Sequence, residues 1–160
     1  MAYNIDDKIK NQKVKYTDLG IEKEDNLLNL LTNKYNLIYF YPKDLTTGCT
    51  IQAENLTENF ELLKEKQINI IGVSIDSCDK HKKFTEKLNI PFILISDEEK
   101  SLVENFGVWQ EKSMYGKKYF GTKRTSFIID NTGKILSIID KPKPKEHSKQ
   151  ILEEIEKIKK

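Results

Sequence analysis

Arginine is almost missing from this 160-residue chain: among 27 basic residues only Arg124 is arginine, and the others are lysine. An arginine that persists against so strong a lysine bias indicates a specific need for the guanidinium group. Guanidinium is planar and can form two parallel hydrogen bonds at once, which a lysine ammonium cannot do. Arg124 is therefore a candidate functional residue.

Cysteine is also scarce, with Cys49 and Cys78 as the two in the chain. The segment from Met1 to Lys15 is polar and contains no apolar core of a secretion signal. No apolar run approaches the length of a membrane span. Two distant cysteines without a secretion signal argue against a disulfide framework. We therefore expect a cytoplasmic protein, outside the membrane, whose thiols are reduced.

The charge balance excludes another class of protein. A net charge of +2, spread along the chain, does not favour nucleic acid as a partner. A composition of 38% apolar and 32% charged residues, over this length, predicts a single globular domain covering 1–160. Cys78 and His81 could be two ligands of a metal, but structural zinc needs four. We expect neither a metal site nor a cofactor.

The most informative segment surrounds Cys49. Residues 37–41 are apolar or aromatic and predict a buried strand, which Pro42 ends because proline has no N–H to donate. Turn residues follow, and apolar residues then recur at the spacing of a helix. Cys49 should lie in the first turn of that helix, where free N–H groups and the helix dipole favour thiolate over thiol.

The rest of the chain alternates strands with helices. We predict strands at 68–75 and 91–95, helices at 79–88 and 98–106, a hairpin of 125–130 with 134–139, and a last helix from about residue 146. Four leucines between residues 27 and 31 suggest a further helix, and 141–145 reads as an extended connector. This order predicts an α/β domain.

Two strands of this pattern place candidate residues together. If the strand before Cys49 is parallel to strand 68–75, their carboxyl ends share one edge of the sheet. Cys49 and the turn from Asp76 to Cys78 then lie at that edge. His81 and His147 are interpreted as surface histidines on helices, without a catalytic part.

The chain resembles the peroxiredoxins, and within them the peroxiredoxin Q (bacterioferritin comigratory protein) branch. The motifs that carry the resemblance are Pro42-x-x-x-Thr46-x-x-Cys49, Gly72-Val-Ser-x-Asp76, His81-Lys-Lys-Phe84, Phe106-Gly-Val-Trp109, Met114-Tyr-Gly-Lys-Lys118 and Arg124-x-Ser-Phe-Ile-Ile-Asp130. The resemblance implies a thioredoxin-like fold, with a central mixed β-sheet flanked by helices. It also implies thiol-dependent reduction of hydrogen peroxide and organic hydroperoxides.

The same resemblance assigns roles to residues. Cys49 corresponds to the peroxidatic nucleophile, Thr46 and Arg124 to the residues that hold and polarise the peroxide, and Pro42 to a shield of the pocket. Some members of the branch carry a resolving cysteine where this chain has Glu54 or Thr85. Cys78 either resolves the oxidised Cys49 as an intramolecular disulfide or has no catalytic part. In the second case an external thiol, of the thioredoxin or glutathione type, attacks Cys49 directly.

Two other functions fit a thioredoxin-like fold. A thiol–disulfide oxidoreductase normally uses Cys-x-x-Cys, and Thr46 occupies the first of those positions here. A binding or holdase protein with a vestigial cysteine would have no reason to keep Thr46, Cys49 and Arg124 together. We expect a monomer or a weak dimer.

Overall fold

The computed structural model describes residues 3–160; Met1 and Ala2 lie outside it. Its strands are β1 (Lys13–Asp18), β2 (Ile21–Asn26), β3 (Tyr35–Phe40), β4 (Ile68–Ser74), β5 (Ile93–Ser96), β6 (Trp109–Met114), β7 (Lys117–Thr122), β8 (Thr125–Ile129) and β9 (Ile135–Asp140). Its α-helices are α1 (Thr47–Glu58), α2 (Phe60–Glu65), α3 (Cys78–Leu88), α4 (Ser101–Asn105) and α5 (His147–Lys159). Short 3-10 helices cover Leu27–Leu30 and Pro144–Glu146.

Seven strands form one sheet in the order β2-β1-β5-β4-β3-β8-β9. β3, β4 and β5 are parallel to one another, whereas β1, β8 and β9 join them in antiparallel pairs. β3 and β4 are long, apolar and buried on both faces, as expected for parallel strands covered by helices. The predicted mixed sheet flanked by helices is confirmed.

The sheet separates two hydrophobic cores because successive side chains of a strand point to opposite faces. On one face Phe40 packs with Phe106 and Phe127, close to the apolar residues of α4. On the other face Tyr39 and its neighbours pack against buried residues of α1, α3 and α5. The second core contains Cys49, so the candidate nucleophile lies on the face of the sheet that α1, α3 and α5 cover.

Several predictions for local structure were wrong or incomplete. The suggested helix at 27–31 is only a 3-10 turn, and the hairpin of β1 with β2 before it was not predicted. α4 begins at Ser101 rather than near Glu98, because the Asp97 carboxylate accepts hydrogen bonds from the Leu102 and Val103 N–H groups. A separate hairpin of β6 with β7 was also missed. The connector at 141–145 is extended only until the 3-10 turn begins at Pro144.

Among residues 3–160, no helix is both long enough and apolar enough to cross a membrane.

Candidate active site

Cys49 lies in the first turn of α1, directly after the carboxyl end of β3, as predicted. Its side chain is 2% exposed. Thr46 occupies the N-cap position, but its hydroxyl donates to the carbonyl of Lys43, 2.8 Å away, and does not cap the helix. The N–H groups of this first turn are therefore available to an anion at or near the sulfur.

Arg124, between β7 and β8, brings the chain's one guanidinium to this helix start. Its Nη1 donates to Cys49 Sγ at 3.4 Å and to Gln52 Oε1 at 2.7 Å. Gly48 makes room for the guanidinium, because a Cβ at that position would stand 3.1 Å from Arg124 Nη2. The predicted association of Arg124 with Cys49, across 75 positions of sequence, is present in the structure.

A chain of buried polar groups continues behind Arg124. Gln52 Nε2 lies 3.1 Å from His147 Nδ1, and His147 Nε2 lies 2.7 Å from Ser126 Oγ. His147 is fully buried, so its interpretation as a surface histidine was wrong. Burial, and secondly the charge of Arg124, lowers the pKa of His147 to about 3. The imidazole is neutral at any physiological pH.

A second set of buried polar groups, centred on Asp44, holds the loop before α1. Asp44 accepts a hydrogen bond from Tyr41 Oη at 2.6 Å, and its own N–H donates to Asp76 Oδ2 at 2.8 Å. Its carboxylate also pairs with Nδ1 of His81, whose Nε2 donates to the carbonyl of Ile95 at 2.9 Å. His81 is fully buried, so its surface interpretation was wrong as well. These contacts confirm that the Cys49 loop and the Asp76 turn share one edge of the sheet.

Tyr39 forms the wall of the site on the sheet side. Its ring lies over Gly72, where a Cβ would approach the ring carbons to 3.1 Å. Its hydroxyl is buried and has no hydrogen-bond partner within the described part of the chain. Burial, followed by the charge of Cys49, raises the pKa of Tyr39 well above its usual value, so the phenol is neutral.

Cys78 begins α3 and is 5% exposed. Burial raises the pKa of its thiol to about 11, and a hydrogen bond with Glu22 acts in the same direction. Both cysteines are free thiols. Cys78 lies beside Ser96 at the end of β5, whereas Cys49 lies beside Arg124 at the start of β8. β4 and β3 separate those two strands, which places them about 14 Å apart at the usual strand spacing.

The remaining predicted residue, Pro42, is half-buried and lines an open depression of about 500 Å³ with Ser77 and Lys80. On the other side of the site Lys112 reaches in from β6; partial burial, then the charge of Arg124, lowers the pKa of its ammonium. No group of three or more His, Cys, Asp or Glu side chains within residues 3–160 is arranged to hold a metal ion. The available chemistry is that of a thiol beside a permanent cation.

This arrangement can stabilise negative charge at two places. Guanidinium and free helix N–H groups favour a thiolate at Cys49, and the same donors can stabilise charge on an oxygen brought next to the sulfur. Gln52 accepts a hydrogen bond from the guanidinium, Gly48 leaves room for it, and His147 contacts Gln52. The sequence analysis assigned none of these three residues to the site.

Comparison with known proteins agrees with this geometry. Residues 5–138 match the AhpC/TSA family. Peroxiredoxin Bcp of Bacillus subtilis is 45% identical over 120 residues, which cover 75% of this chain and 76% of the relative.

Solved structures give the same result for the fold. A cysteine-to-serine mutant of Xylella fastidiosa PrxQ superposes with a TM-score of 0.89 at 27% identity, covering 100% of this chain and 99% of the other. The bacterioferritin comigratory protein of Xanthomonas campestris, described for its alkyl peroxide reduction activity, superposes with a TM-score of 0.82 at 28% identity, covering 93% and 92%. With this family match and these relatives, the chain belongs to the AhpC/TSA family, in its peroxiredoxin Bcp branch, and is a thiol-dependent peroxidase.

Proposed function

We propose that Cys49 is the peroxidatic nucleophile of this enzyme. Its thiolate attacks the terminal oxygen of a hydroperoxide; an S–O bond forms, the O–O bond breaks, and hydroxide or alkoxide leaves and takes up a proton. Cys49 becomes a sulfenic acid. The observation that supports this assignment is the 3.4 Å contact between Arg124 Nη1 and Cys49 Sγ at an uncapped helix start.

Arg124 acts on both sulfur and peroxide. The two hydrogens of Nη1 are used by Cys49 Sγ and Gln52 Oε1. Nη2, over Gly48, has no partner in the part of the chain that the structure describes, and it is the donor for a peroxide oxygen. A fork with several donors can thus hold the nucleophile and the leaving oxygen at once, without losing its proton.

Thr46 and Pro42 complete the pocket. The Thr46 hydroxyl gives its proton to the carbonyl of Lys43, so its lone pairs are free to accept a hydrogen bond from the peroxide O–H. This orients the terminal oxygen toward Cys49. Pro42, half-buried in the same loop, limits water at the sulfur. No cofactor or metal takes part in the proposed step.

The substrates are hydrogen peroxide and organic hydroperoxides. The relative from Xanthomonas campestris is described for alkyl peroxide reduction, which supports the organic substrates. The electrons come from a thiol reductant of the thioredoxin or glutathione type.

Two routes can return the sulfenic acid to a thiol. In the first, Cys78 attacks it and water leaves as an intramolecular disulfide forms. Disulfide geometry needs Cα atoms within about 7 Å, so the first turn of α1 would have to unwind. In the second, an external thiol attacks the Cys49 sulfur, and water leaves as a mixed disulfide forms. In either route further thiol reductant then reduces the disulfide and restores the Cys49 thiol. The folded arrangement favours the second route, because Cys78 lies across two strands and burial raises its pKa to about 11.

The test compares the two cysteines. We expect purified protein to consume hydrogen peroxide with a dithiol reductant, Cys49→Ser to abolish this, and Cys78→Ser to retain it. Mass spectrometry of the intact protein after one equivalent of peroxide separates the routes: a disulfide loses two hydrogens, whereas a sulfenic acid gains one oxygen. Full activity of Cys49→Ser would refute the proposal, and insulin reduction well above background would favour a thiol–disulfide oxidoreductase.

The remaining proposals concern the molecule as a whole. Cytoplasmic location is supported by two free, buried thiols. Single-domain organisation of 1–160 is supported by one sheet that joins strands from Lys13 to Asp140. A single unfolding transition would test the domain proposal, and sedimentation would test the proposed monomer or weak dimer.

A further inference from the structure

His147 is buried beside the site but does not touch the sulfur. It is the first residue of α5, and its ring is fully buried between Gln52 of α1 and Ser126 of β8. The ring also packs edge-on against Tyr39, with centroids 5.5 Å apart. Attack at Cys49 gives no reason for an imidazole at this place.

The donors and acceptors of this group can be assigned from its neighbours. The neutral imidazole has one N–H and one bare nitrogen. Gln52 Oε1 accepts from Arg124 Nη1, so the Gln52 amide presents its NH2 to His147. His147 Nδ1 therefore accepts, and Nε2–H donates to Ser126 Oγ. The donor and the acceptor of each hydrogen bond between Ser126, His147, Gln52 and Arg124 are thereby assigned.

We propose that His147 is a positioning residue of the peroxidase site: it fixes the Gln52 amide so that Oε1 faces Arg124 and the guanidinium remains at Cys49 Sγ. Without an acceptor at Nδ1, the amide can turn its NH2 toward the guanidinium and repel it. The C-terminal helix thereby contributes to the site. This inference rests on the proposed role of Cys49.

A purely structural role for this region can be tested separately. One residue further along, Ser148 docks α5 on α1 through Asn55: the Ser148 N–H and Oγ each donate to Asn55 Oδ1 at 2.8 Å. This link has no contact with Gln52 or Arg124. Ser148→Ala therefore weakens the same helix interface and spares the polar chain, which makes it the matched control.

The experiment compares His147→Phe, His147→Asn and Ser148→Ala. The readouts are the rate of Cys49 oxidation by hydrogen peroxide, the pH midpoint of its alkylation by iodoacetamide, and the thermal unfolding midpoint. We expect His147→Phe to slow oxidation about tenfold and to move the alkylation midpoint to higher pH, since a misplaced guanidinium supports the thiolate less well. His147→Asn, whose Oδ1 takes nearly the position of Nδ1 and offers an acceptor to Gln52 again, should recover most of the rate.

Ser148→Ala should lower the unfolding midpoint and leave the oxidation rate within about twofold of the wild type. Equal losses in Ser148→Ala and His147→Phe, or a wild-type rate in folded His147→Phe, would overturn the inference. If His147→Phe does not fold, His147→Gln, whose amide reaches the position of Nε2 and leaves no acceptor at that of Nδ1, replaces it with the same two outcomes. Activity that survives in Cys49→Ser would instead refute the proposed function, whatever His147 does.

Discussion

The two cysteines of this protein occupy matching places and have opposite surroundings. Each lies in the first turn of an α-helix that follows a parallel strand, and each is nearly buried. At Cys49 the neighbour is a guanidinium, and no side chain among residues 3–160 caps the helix. At Cys78 the neighbour is Glu22, and Ser77 caps the helix by accepting from the Lys80 N–H.

This comparison shows that a helix start alone does not activate a thiol. Burial disfavours the thiolate at any apolar site, and the dipole offsets this only in part. At Cys78 a carboxylate adds to the effect of burial, and the pKa rises to about 11. The proposed nucleophile is the cysteine that has a guanidinium beside its sulfur.

The largest expected loss of activity comes from replacing the Arg124 guanidinium with another cation. Arg124→Lys should lower kcat/KM for hydrogen peroxide about 100-fold, because the single nitrogen of an ammonium cannot occupy the positions of both Nη1 and Nη2. Stopped-flow measurement of peroxide consumption by each variant gives this rate constant. Lys123→Arg, next in sequence and paired with Asp140 at 2.7 Å, is the control and should behave as the wild type. A rate within about threefold for Arg124→Lys would show that charge alone suffices.

A smaller effect is expected from crowding the guanidinium. In Gly48→Ala the new Cβ stands 3.1 Å from Arg124 Nη2, so the guanidinium must shift by a few tenths of an ångström. We expect oxidation of Cys49 to slow about fivefold with little loss of stability. Thr47→Ala, an exposed change in the same helical turn, should have no effect. An unchanged rate in Gly48→Ala would mean that the position of Nη2 is not critical.

The smallest expected effect concerns Cys78. In a Cys49→Ser background, Glu22→Gln removes the carboxylate beside this thiol, and alkylation at pH 9 should accelerate about threefold, because the pKa of Cys78 falls toward its ordinary value. Glu24→Gln, on the same strand but paired with Lys13, is the control. Equal rates in both variants would assign the raised pKa to burial alone.

The sequence predicted mainly features that depend on residues close together in the chain. The strand, proline and helix around Cys49 follow from adjacent residues, and Arg124 stood out against the lysine bias. The parallel pairing of β3 with β4 followed from the order of strands and helices. Hairpins β1–β2 and β6–β7 were missed because most of β2, β6 and β7 is exposed and polar, so no apolar alternation marks them.

The two buried histidines, His81 and His147, show a different limit of prediction from the sequence. His147 precedes Ile151 and Ile155 by one and two helical turns, so its position on the buried stripe of α5 was visible in the sequence. His81 has the same relation to Phe84. An interpretation from residue type alone overlooks these positions. Their partners could not be predicted, since Gln52 is 95 positions from His147 and Asp44 is 37 from His81.

The buried pair of Asp44 with His81 also affects how readily the loop before Cys49 can open. It ties the loop that carries Thr46 to the helix that begins at Cys78, and both side chains are buried. In the proposed cycle, a Cys49 sulfenic acid held in the closed loop can meet a second peroxide before it meets a reducing thiol, and the resulting sulfinic acid is a dead end without a dedicated repair enzyme. On that proposal, the contact between Asp44 and His81 limits how many turnovers the enzyme completes before a second peroxide inactivates it.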